Sequence, residues 1–83
     1  MRTINNHIDL SRLAKDGVDD IELTNAIGYL SIWAFNTYSQ CEIYSRENGD
    51  LIATYKHNTT DQDNKYVIGA VWNAAKQKYS FHS

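Results

Sequence analysis

Asn48-Gly49 constrains the fold of this chain more than any other pair of residues. Asn and Gly both reach left-handed backbone conformations at low cost, so the pair favours a tight turn between two antiparallel strands. The flanking segment QCEIYSRENGDLIATYKH carries apolar and aromatic residues on both sides of it. Two registers compete. With a two-residue loop, Arg46 faces Leu51 and Tyr44 faces Ala53, and apolar side chains scatter over both faces. With Glu47-Asn48-Gly49 as a three-residue loop and Gly49 as a left-handed bulge, Arg46 pairs with Asp50, Tyr44 with Ile52 and Ile43 with Ala53. One face then collects Cys41, Ile43, Leu51, Ala53 and Tyr55, and the other carries Glu42, Tyr44, Arg46, Asp50, Ile52, Thr54 and Lys56. A slip of one residue sends every side chain to the opposite face, so burial selects the second register.

Helices are expected to cover the apolar face of this hairpin. From Asn6 to Lys15, Leu10, Leu13 and Ala14 follow a helical spacing, and Gly17 stands where a helix C-cap would. Asp19 followed by Glu22 resembles a capping box and opens a second helix. Its stripe Leu23, Ala26, Ile27, Leu30, Trp33, Ala34 and Tyr38 keeps the 3.6-residue period to about Asn36, although the β-branched and aromatic residues from Ile32 onward also suit a strand. The polar run from Asn58 to Asn64 reads as a loop. Beyond it, Val67, Ala70, Val71 and Ala74 share a helical face, which predicts a third helix from Asp61 or Lys65 to Gln77; a strand over KYVIGAV competes. Tyr79 to Ser83 closes the chain as an extended segment. The expected fold is α+β in the order α-α-β-β-α, a small antiparallel hairpin packed on helices.

Eighty-three residues allow one domain, 1–83, and bury roughly 63% of the unfolded surface. That excludes an enzyme with a cleft between two lobes. A net charge of −2 provides no broad basic field for nucleic acid or anionic lipid. No apolar run is long enough for a membrane span, and the start MRTINNHIDL lacks a signal-peptide hydrophobic region, so a cytoplasmic location and no membrane partner are expected. The single Cys41 fits a reducing compartment. Ile, Asn, Lys and Tyr, whose codons are AT-rich, supply 27 residues against 14 from Ala, Gly, Arg and Pro, which points to an AT-rich source such as a phage or mobile element.

No glycine-rich phosphate loop, nucleophile elbow, HExxH or paired-cysteine motif is present, and no cofactor is expected. Cys41 and His57 could form a thiol–imidazole pair, but Cys41 falls on the expected core face, where a small buried hydrophobe accounts for it. His57, Asp61 and Asp63 could ligate a metal; a solvated polar turn explains them more simply, because the glycine and distal glutamate of a calcium loop are missing. What remains is a surplus of surface-competent aromatics, six Tyr and two Trp, in a core too small to enclose them all. The expected function is therefore a non-enzymatic protein-binding module, a phage or mobile-element inhibitor of a host defence or nucleic-acid machine, with homodimer formation also expected. Its partner surface is placed at Tyr44, Arg46 and Ile52, with the acidic cluster Asp16, Asp19 and Asp20 as a second patch. The alternative is a nucleic-acid accessory protein using Lys65, Lys76, Lys78, Tyr79 and Phe81.

Overall fold

The computed structural model describes residues 3–37, 40–56 and 63–83. Among these residues five strands form one mixed sheet in spatial order β1-β2-β3-β4-β5: β1 Thr3–His7, β2 Gln40–Ser45, β3 Leu51–Tyr55, β4 Lys65–Asn73 and β5 Lys78–His82. Two helices, α1 Leu10–Lys15 and α2 Asp20–Thr37, connect β1 to β2, which lie side by side and parallel; every later pairing is antiparallel. The fold is α+β, and the order β-α-α-β-β-β-β replaces the expected α-α-β-β-α.

The hairpin register is the one that burial selects. Ile43 pairs with Ala53 and Tyr44 with Ile52, and the Arg46 N–H donates to the Asp50 carbonyl at 2.7 Å. Within the loop, Asn48 (φ 62°) and Gly49 (φ 84°) are both left-handed, and the Asp50 N–H donates to the Glu47 carbonyl at 3.3 Å. Asn48-Gly49 thus makes a turn of the I′ kind, and Glu47 is the extra residue that shifts the pairing beyond it. Cys41, Ile43, Leu51 and Ala53 are buried beneath the helices, with Tyr55 half-buried.

Two elements differ from expectation. Thr3–His7 is a strand, and α1 begins only at Leu10, capped by the Asp9 carboxylate, which accepts from the Arg12 N–H at 3.2 Å. Over the described part of the expected third helix, 65–77, the chain forms β4 and a turn over 74–77, as the competing strand over KYVIGAV has it, and the segment expected to be extended from Tyr79 lies in β5. Ile68, Ala70 and Trp72 alternate onto the helix side, and a bulge opposite Ala53 and Thr54 inserts Val67 as an extra residue that is also buried. The bulge accounts for Val67 in the helix-like pattern, whereas Val71, on the other face of β4, and Ala74, in the turn, are exposed.

The helix ends follow the local chemistry of the chain. Gly17 (φ 82°) terminates α1: its N–H donates to Ala14 O at 3.1 Å while the Val18 N–H reaches Leu13 O at 3.1 Å, both bonds of a Schellman motif, with Leu13 and Val18 buried together. Asp19 caps α2 by accepting from the Glu22 N–H at 3.0 Å. α2 touches all five strands and buries Leu23, Ala26, Leu30 and Ala34 against them. Among the described residues, helices therefore cover one face of the sheet only.

Candidate functional site: the open face of the sheet

Strand alternation sends Tyr44, Arg46, Ile52, Tyr66, Gly69, Val71, Ser80 and His82 to the face opposite the helices. A groove of about 710 Å³ runs over this face, lined by Arg46, Ile52, Tyr66, Val71 and His82, with Arg12, Glu47 and Asp50 on its rim. Its centre is apolar: Val71 is 47% exposed and Tyr66 50%, and Ile52 is half-buried beside them. Its rim carries both signs of charge, with Arg12 and Glu47 paired at 3.9 Å and Arg46 exposed.

Three local features hold the groove in shape. The Tyr66 hydroxyl donates to the His82 carbonyl, and the ring lies so close over Gly69 that a Cβ there would stand 3.0 Å from the hydroxyl. Asp50 Oδ1 accepts from the Trp72 N–H at 2.9 Å, tying the turn to β4. Beneath the turn, Gly49 rests on the Trp72 indole, and the Tyr79 hydroxyl donates to the Gly49 carbonyl at 2.6 Å. Burial, reinforced by the Asp50 carboxylate, pushes the Tyr79 phenol up to about 12.

The three residues placed on the partner surface by sequence meet different surroundings. Tyr44 and Ile52 are cross-strand neighbours, as expected. Tyr44 already has company: its ring stacks on His7 at 4.6 Å, its hydroxyl accepts from Asn64 Nδ2 at 3.3 Å, and His7 Nε2 lies 3.1 Å from Glu42 Oε1. Tyr44 therefore flanks the groove, and Arg46 and Ile52 line it. Tyr66 and Val71 were missed because the helical reading of 65–77 hid their common face, and His82, in a segment read as extended, joins that face only through its pairing with Gly69. The alternation of Ile68, Ala70 and Trp72 is the signal that would have exposed it.

The other candidates are dispersed. Asp16 occupies the C-cap of α1, and the Asp19 carboxylate is engaged as the α2 cap; neither these two nor Asp20 lines the groove. Of the nucleic-acid set, Tyr79 and Phe81 turn toward the helices, where Phe81 packs on Tyr29 (4.3 Å) and Tyr79 on Trp72 (4.9 Å). Alternation puts Lys78 on the opposite face of β5, Lys76 lies in the 74–77 turn, and Lys65 begins β4. These five residues do not form one surface. Cys41 is buried, donates to the Ala34 carbonyl at 3.6 Å and has its thiol pKa raised by burial; His57 and Asp61 lie outside the described residues. Among the described residues no group of three or more His, Cys, Asp or Glu gathers to hold a metal ion, and no helix is long and apolar enough to cross a membrane.

Comparison with protein-family models, curated proteins and solved structures returns no match for this chain.

Proposed function

We propose that this protein is a non-enzymatic binding module that recognises another protein through the open face of its sheet. The observation that carries this reading is a groove that no described residue covers: an apolar floor of Ile52, Tyr66 and Val71 beside an exposed Arg46 and a rim of mixed charge. Such a centre and rim are the anatomy of a protein-binding hot spot, and Tyr and Arg are the residue types that contribute most there. The AT-rich composition favours a phage or mobile-element source, and a host defence or nucleic-acid machine as the partner of such an inhibitor.

The test is affinity capture from host lysate with the native chain and with Arg46→Ala/Tyr66→Ala. The native chain should retain a stoichiometric protein that the double variant loses, with affinity lowered by at least about 2 kcal/mol, or about thirtyfold. The variant must keep the native circular dichroism spectrum. Equal capture by a folded double variant would refute the groove as the interface. Salt-sensitive binding of labelled single-stranded DNA or RNA, with no protein captured, would favour the nucleic-acid alternative.

A further inference from the structure

We propose that the outward face of α2 docks against α2 of a second copy of this chain, making an antiparallel two-helix homodimer interface on the side of the molecule opposite the groove. This inference stands on observations separate from those behind the binding function. On a surface helix the side facing water is normally charged or polar. From Leu23 to Thr37 α2 carries no charged residue at all, and its water-facing side presents Ile21 (72% exposed), Ile32 (64%) and Tyr29 (44%). At 100° per residue Ile21, Asn25, Gly28 and Ile32 fall in one stripe about 60° wide, turned away from the buried Leu23, Ala26, Leu30 and Ala34. Phe81 packs on Tyr29 and extends the patch to the edge of β5.

Three considerations select a second copy as the occupant. The stripe is self-complementary: a twofold axis crossing α2 between Ala26 and Ile27 sets Ile21 against Ile32 of the partner subunit, and Asn25 against Gly28 of the partner subunit, as an isologous contact requires. Space is available at its centre, because a Cβ added at Gly28 would meet nothing within 4 Å, so two backbones can approach at the short end of helix-pair distances. The exposed parts of Ile21, Tyr29, Ile32 and Phe81 amount to roughly 450 Å² per copy, and the exposed Asn25 and Gly28 between them bring the pair to about 1,000 Å², the lower limit for a specific interface. A lipid surface fits poorly, since an interfacial helix needs Lys or Arg beside its apolar face, and the only charges on α2 are Asp20 and Glu22.

Light scattering on the purified chain across micromolar to sub-millimolar concentration tests this directly. The native chain should reach twice its 9.5 kDa mass. Gly28→Lys replaces a poor helix former where the isolated fold has room, so it should preserve or increase helical ellipticity while reducing the mass to that of one chain. Ile32→Glu should do the same. Should either variant fail to fold, oxidative cross-linking decides: Gly28→Cys should give a covalent dimer, and Ile52→Cys, on the opposite face, should not. A native chain that stays at one-chain mass throughout overturns the proposal. So does a dimer that survives both substitutions, as pairing through the strand edges would, or cross-linking at position 52 equal to that at 28.

Discussion

Gly49→Ala is the substitution for which the structure supplies the most complete energetic argument. Gly49 has φ 84°, and a Cβ there would stand 2.8 Å from Val18 Cγ2 and 2.9 Å from Trp72 Cδ1. The left-handed conformation alone costs an L-residue about 1–2 kcal/mol. The steric conflict adds about 1–3 kcal/mol, because Val18 and Trp72 are themselves packed in the core and cannot swing aside. A loss of about 2–5 kcal/mol follows, a large part of the few kcal/mol that stabilise a domain of this size. Gly17→Ala is the natural control. Its φ is 82°, nothing lies within 4 Å of its Cβ, and it therefore isolates the backbone cost. The entropy that alanine removes from the unfolded chain enters both substitutions and cancels in the difference. Urea unfolding monitored by circular dichroism, with midpoint and slope fitted for each variant, should place Gly49→Ala at least about 1 kcal/mol below Gly17→Ala. Trimming one obstacle tests the cause: Gly49→Ala in a Val18→Ala background should be less harmful than the sum of the two, with a coupling of at least about 0.5 kcal/mol. Equal losses for the two glycine variants, or strict additivity with Val18→Ala, would refute the packing of the turn against Val18 and Trp72.

Three further outcomes are expected. Tyr79 holds its proton more tightly folded than unfolded, so its contribution to stability is complete below about pH 10, the unfolded phenol value, and disappears as the pH rises through about 12; in pH-dependent urea unfolding, Tyr79→Phe should remove that step and cost about 1 kcal/mol at neutral pH for the lost bond to the Gly49 carbonyl. Thr54 is buried with a hydroxyl that finds no hydrogen-bond partner among the described residues, so Thr54→Val should leave the fold intact and raise its stability by up to about 1 kcal/mol in thermal unfolding, whereas a loss of that size would mean the hydroxyl is satisfied. Asp19→Ala should lower stability by about 1 kcal/mol through loss of the α2 cap, and Asp20→Ala, which acts only through the helix dipole, by about half of that, measured by the same urea unfolding.

The parts of this fold that could be read from sequence are those decided within a few residues. Asn48 and Gly49 adopt the left-handed conformations their side chains favour, and the two-residue alternation around them determines which face of the hairpin is buried, so the outward placement of Arg46 and Ile52 was legible before any tertiary contact was known. Gly17 and Asp19 mark helix ends because their bonds reach only three to five residues along the chain. Tertiary structure decided the rest. Thr3–His7 has only Ile4 as an apolar contact residue and no alternation; it becomes a strand because β2, 37 residues away, offers it a hydrogen-bonding edge. Residues 65–75 satisfy a helical face as well as a strand, and pairing with β3 selects the strand by burying Ile68, Ala70 and Trp72 beneath α2. Tyr66, Val71 and His82 reach the groove through that selection alone. A local bond compares a few neighbouring conformations, whereas a sheet edge compares whole surfaces, and only the folded chain brings those surfaces together.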